Sequence, residues 1–151
     1  MTATSTLTTA LPMLQPDDPG ARLLLFGVRQ MGAHGLSDAC AAHAFVTAFG
    51  KWFQRPLLLL RALMTEMSAA SARPIQIAPW CCARMTAAEA GILTVIGRVR
   101  TNPGAAGLLL ADLTGLRDAA SMLTTAHALS NAFADMGLPI PASPAISSTE
   151  A

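Results

Sequence analysis

Apolar side chains recur every three or four residues through most of this chain, the spacing that lines up one face of an α-helix. Ala21, Leu24, Leu25, Val28 and Met31 do so first, opposite Arg22 and Arg29. An Asp at 17 or 18 just before Pro19 gives the start signal, because a cap oxygen takes an orphan N–H and proline lacks one. Gly32 and Gly35 mark its end. Ser37 predicts the cap of a second helix reaching about Phe53, with Ala41, Phe45, Ala48 and Trp52 on one face. Pro56 opens a third through about Ala69. Its Leu57, Leu58, Leu59, Leu60, Leu63 and Met64 cover most of the circumference, so this helix is expected at the centre of the fold.

Residues 71 to 85 (SARPIQIAPWCCARM) interrupt the pattern with two prolines and end in a cysteine pair. Ile75 to Ile77 alternates like a strand but is too short to pair alone. A capping box of Thr86 and Glu89 starts the fourth helix, with Ile92, Leu93, Ile96 and Val99 as its apolar stripe. Asn102 and Pro103 restart the chain into a fifth, stopped at Gly115. Asp118 then caps a sixth, where Met122, Ala126, Leu129, Phe133 and Met136 recur up to Gly137. The expectation is a compact all-α bundle of about six helices with short connections. Residues 1 to 16 and 139 to 151, rich in Thr, Ser and Pro, are expected as a disordered arm and tail around a single domain at 17 to 138.

Composition sharpens this reading. Ala and Leu, the best helix formers, dominate, and Tyr is absent. Ten basic and nine acidic side chains nearly cancel, which argues against duplex DNA or an anionic membrane surface as the main partner. Lys51 is the single lysine among the basic residues, a bias that goes with a GC-rich genome. The N-terminal stretch lacks the positive n-region of a signal peptide, and no apolar run approaches the ~20 residues that span a bilayer. Three cysteines do not suggest a disulfide framework. A soluble, cytoplasmic protein is the resulting expectation.

Two places carry candidate chemistry. In Pro79-Trp80-Cys81-Cys82-Ala83-Arg84, a thiol lies just ahead of a helix N-terminus and beside Arg84, a setting that favours thiolate. A disulfide between Cys81 and Cys82 is disfavoured, since adjacent Cα atoms lie about 3.8 Å apart, below the usual range. The competing account is a pair of thiols packed as small hydrophobes. The second place is His34, Asp38, Cys40 and His43, around the start of the second helix. Cys40 and His43 share one helix face. With Cys81 and Cys82 they would make a zinc set of three Cys and one His, if the 71–85 loop folded over that helix. Against this, the spacing matches no established zinc motif. Asp38 serves equally as a first-turn carboxylate facing the helix dipole.

Other chemistries find no support. The nucleophile-elbow, phosphate-loop, HExxH, EF-hand and dinucleotide patterns are absent, and no Glu has the His that a di-iron bundle needs three residues on. His127 stands alone on the sixth helix. The last two helices superficially resemble a helix-turn-helix, but Asp118 to Met136 contains no Arg or Lys to read bases. What remains is a non-enzymatic interaction or assembly domain, engaging a protein partner or a second copy of itself. Eight methionines would supply its adaptable apolar surface. The alternative is a thiol- or zinc-dependent protein centred on Cys81 and Cys82.

The segments DDPGARLLLFGVRQMGAHGLSDACAAHAF, RPLLLLRALM, IAPWCCARMTAAEAGIL and LLLADLTGLRDA resemble a family of small uncharacterised proteins from alphaproteobacteria, sphingomonads especially. The likeness runs from about 17 to 138. It implies a bacterial, cytoplasmic setting and brings no activity, cofactor or site residue with it.

Overall fold

The computed structural model describes residues 13–142. Six α-helices carry the fold: α1 (Pro19–His34), α2 (Ala39–Phe49), α3 (Gln54–Ala70), α4 (Ala87–Arg98), α5 (Pro103–Thr114) and α6 (Ala120–Asp135). The chain is thus the all-α bundle its pattern predicts, with one small addition. Two-residue strands β1 (Met13–Leu14) and β2 (Arg84–Met85) pair antiparallel, Met13 opposite Met85 and Leu14 opposite Arg84. The most extensive helix–helix interface joins α3 to α6, followed by α4 with α5, while α1 packs on α2, α3 and α4. No helix among the described residues is long and apolar enough to cross a membrane.

Local signals set most boundaries. Asp18 accepts the Ala21 N–H at 2.9 Å, and Asn102 accepts that of Ala105 at 3.2 Å, each with a proline at the following position. Thr86 and Glu89 form the reciprocal capping box of α4. Gly115 closes α5 in the left-handed region at φ 73°, which a side chain would strain.

Elsewhere the boundaries differ from the expected ones. The cap of α2 is Asp38 rather than Ser37, its carboxylate taking the Ala41 N–H at 2.8 Å. That helix ends at Phe49 instead of running to Phe53, because Gly50 at φ 60° turns the chain into a short 3₁₀ segment, Gly50–Trp52. Gly32 lies inside α1 and does not end it; a Cβ there would sit 2.5 Å from Ile77 Cδ1, so the glycine admits the 71–85 loop. Asp118 accepts the Ala120 N–H at 2.9 Å, with Ala119 at the cap position itself.

Order extends past the expected 17–138 domain at both ends. Residues 13–14 form β1, so the supposed arm is anchored from there. At the other end Ile140 is buried in the core. The expected disorder of the remaining terminal residues lies outside the described part of the chain.

The core is built from Leu24, Phe45, Leu60, Ile96, Leu129 and Phe133, all fully buried, and their neighbours. On α3, Leu57, Leu60, Leu63 and Met67 face inward, whereas Leu58 is 58% exposed; the centre is shared with α4, which buries Ile92, Leu93, Val95 and Ile96. The C-terminal segment approaches α4 so closely that a Cβ on Gly97 would lie 2.1 Å from the Pro141 carbonyl oxygen. Gly97→Ala should therefore destabilise the fold. Overpacking costs about 1–3 kcal/mol, against ~1 kcal/mol gained by alanine in a helix interior. A urea midpoint unchanged or raised in this variant would show that residues 140–142 do not press on α4.

Candidate functional site

The irregular loop between α3 and α4 is held by a buried ion pair. Arg29 of α1 is 2% exposed and Glu89 of α4 fully buried. Arg29 Nε donates to Glu89 Oε2 at 2.7 Å and Nη2 to Oε1 at 3.1 Å, a two-point contact suited to the planar guanidinium. Both groups also bond to backbone. Arg29 Nη1 donates to the Cys82 carbonyl and Nη2 to that of Arg84, each at 2.7 Å. Glu89 accepts the N–H of Thr86 at 2.9 Å and of Ala78 at 3.3 Å. The Thr86 hydroxyl, which also caps α4, donates to the Gln76 carbonyl at 2.7 Å. Burying two charges is expensive unless their hydrogen-bonding atoms are matched. Here the match is made by the loop itself, so the pair fixes the path of residues 76–86.

What that path presents is a β-turn. The Cys82 N–H donates to the Pro79 carbonyl at 3.0 Å, leaving Trp80 and Cys81 at the two tip positions. Arg29 and the Gln15 amide both donate to the Cys82 carbonyl, fastening the turn at its base. The tip points outward: Trp80 is 62% exposed and Cys81 is exposed beside it. Three shallow hollows adjoin this indole. One includes Arg22, Phe26 and Cys81; the next Gln30, Ala33 and His34; the third Phe26, His34, Asp38 and Cys40. The other exposed indole, Trp52, has the Lys51 ammonium 5.0 Å from its ring centre.

The structure gathers some of the candidate residues and separates others. His34, Asp38 and Cys40 line one hollow against Trp80, and Cys81 lines another on the same indole. His43 is exposed on α2, its backbone carbonyl taking the Thr47 hydroxyl at 2.9 Å. Cys82 is half-buried and contributes its backbone. Among the described residues, no three His, Cys, Asp or Glu side chains converge closely enough to hold a metal ion. Cys40, Cys81 and Cys82 are free thiols. Arg84 exposes its side chain and serves the site through its carbonyl. His127 is exposed on α6.

The residue that sequence reasoning misplaced is Arg29, set on the polar face of α1 but in fact buried. A signal for it existed: it stands four residues after Leu25, on the same helical face.

A small helical domain with an anchored, aromatic-tipped turn is what fold and site together define. The chain belongs to a family of unknown function, DUF6628, whose model matches residues 2–139. No curated protein and no solved structure matches the chain.

Proposed function

We propose that this protein is a non-enzymatic helical interaction domain working in a bacterial cytoplasm, and that it engages a polypeptide partner through the face centred on Trp80. The observation that carries this is a largely exposed indole on a turn whose base is locked by a buried ion pair. A rigidly held tryptophan binds without first losing much loop freedom, and tryptophan is enriched among the residues that dominate interface energies. Phe26 and the adjoining hollows supply the apolar surround, and Arg22 and His34 a polar rim. The Arg-rich, Lys-poor composition supports a bacterial origin.

The test uses Cys81 as a handle. With Cys40 and Cys82 replaced by serine, a photoreactive benzophenone maleimide on Cys81 should capture the occupant of this face. A discrete adduct, either with a second copy of the chain or with one other protein, is expected. It should fall at least about tenfold with Trp80→Ala, the scale of one interface hot spot, while the unfolding free energy from urea titration stays within about 0.5 kcal/mol, as for a surface change. Adducts indifferent to Trp80→Ala would sink the reading.

A second reading, a thiol-responsive protein, is favoured by Cys40 and Cys81 both being exposed and both bordering hollows walled by Trp80 and Phe26. It requires that alkylating Cys81 with a small reagent, in a Cys40→Ser, Cys82→Ser background, alter co-sedimentation with the partner that photocapture identifies; unaltered co-sedimentation would exclude it.

A further inference from the structure

On the inner side of the same loop lies a pocket of about 420 Å³ between α1, α3 and α4. Met64, Met67, Ile75, Ile77 and Ile92 wall it. Ser68, Ser71 and Arg73 are the polar side chains among the residues that border this apolar body. Ser71, at the end of α3, has its hydroxyl oxygen buried and without a hydrogen-bond partner. Buried hydroxyls are ordinarily paired, because an unpaired one forfeits its hydration. Arg73 also lines the pocket and is the charged residue among the described ones that do so. Its position is set by its surroundings. The Ala72 N–H donates to the Thr114 carbonyl at 2.8 Å, and Arg73 Nη1 to the Asp112 carbonyl at 3.3 Å. The bare Cα of Gly115 leaves room for the Arg73 stem, since a Cβ there would lie 3.2 Å from Arg73 Cγ.

We propose that this pocket binds a small aliphatic monocarboxylate, its chain among the methionines and isoleucines and its carboxylate shared by Ser71 and Arg73. The lining holds one guanidinium and two hydroxyls, of which that of Ser71 is buried without a partner while Ser68 is exposed; Arg73 and Ser71 together match one carboxylate, a planar acceptor suited to arginine. No acidic side chain among the described residues lines the pocket to oppose it. Flexible Met64 and Met67 side chains adapt to a chain without a fixed shape. The volume falls in the range of small-ligand sites, which are mostly apolar with few convergent polar groups. This pocket adjoins one of the hollows beside Trp80, sharing Gly32 and Ile77 with it, but Ser71 and Arg73 border only the pocket, and the proposal does not depend on the docking reading.

The test is a titration of protein carrying ¹³C-labelled Met and Ile methyl groups with sodium decanoate below its micellar concentration. Saturable shifts are expected at Met64, Met67, Ile75, Ile77 and Ile92, with decanol binding roughly tenfold more weakly for want of the charge-assisted hydrogen bonds. Ser71→Ala and Arg73→Gln should each weaken decanoate roughly tenfold, the scale of one such bond, with the melting temperature retained. Trp80→Ala should leave the titration unchanged, which separates this proposal from the docking reading. Shifts that never saturate, equal affinity for decanol and decanoate, or wild-type affinity in both Ser71→Ala and Arg73→Gln would each overturn it.

Discussion

Arg29→Met should lower the stability of the folded chain by about 3–5 kcal/mol, the penalty for leaving one member of a buried ion pair alone. That is a large fraction of the ~5–15 kcal/mol that holds a domain of this kind together. The size of the effect follows from what the substitution strands. Glu89 would keep only the N–H groups of Thr86 and Ala78, and the carbonyls of Cys82 and Arg84 would each lose a charged donor. Glu89→Leu should be comparably damaging, because Arg29 is buried and the loop amides would lose their acceptor. The double variant tells the two effects apart. Replacing a buried pair by apolar residues is often neutral when the pair satisfies only itself. Here it also satisfies loop backbone, and each stranded group costs ~1–3 kcal/mol. Arg29→Met with Glu89→Leu should thus stay well below wild type, near the level of one single variant rather than their sum, in urea titrations. The loop should loosen first. Trypsin should cut after the exposed Arg84 faster in Arg29→Met, under conditions where the helices stay folded. A loss of unfolding free energy below ~1 kcal/mol, the cost of a single stranded group, would mean that the pair does not organise residues 76–86.

That same ion pair shows where sequence reasoning stopped. Capping is written in neighbours, so Asp18, Thr86 with Glu89, Asn102 and Gly115 could be read directly, and with them most of the helices. Where two adjacent residues both suit a cap, as Ser37 and Asp38 do, a one-residue error follows from local chemistry alone. The partner of Glu89, by contrast, lies sixty positions away on another helix. Nothing in the Thr86–Glu89 box shows that the carboxylate also meets an arginine. β1 was hidden for a related reason: Met13 and Leu14 sit in a Thr-rich stretch and become a strand only because β2 is delivered to them. Of the candidate site, the loop and its cysteine pair were legible from the two prolines and the break in periodicity, whereas the exposure of Trp80 and Cys81 was not, because it depends on where Arg29 fastens the base of the turn. The pocket behind it was not, because Gly32, Met64 and Ile92 approach one another only after α1, α3 and α4 have packed.

Phe133→Ala should cost about 3–5 kcal/mol, comparable to the loss of the ion pair but by a different route. Phe133 of α6 is fully buried and meets two rings of α2 edge-on: Phe45 at 5.9 Å between centroids and Phe49 at 5.2 Å. Phe45 and Phe49 also touch, at 5.8 Å, so the three rings form a closed cluster. The extensive helix interfaces do not include α2 with α6. Side chains rather than close backbone approach therefore join these two helices, and truncating the ring opens a space the backbones cannot readily close. The cavity term adds to the lost transfer free energy, and each edge-on pair contributes a further ~0.5–1.5 kcal/mol. Phe133→Leu retains most of the volume and should cost far less, about 1.5 kcal/mol or below. The contrast between the two substitutions is the decisive measurement. If leucine were as damaging as alanine, ring geometry rather than volume would be holding α2; if both were mild, α2 would be held by α1 and α3 alone. Because Cys40 and Asp38 enter the Trp80 face from the start of α2, a loosened α2 should also blunt photocapture at Cys81 in Phe133→Ala. The Arg29 variant, which releases the turn instead, should blunt it with the aromatic cluster intact.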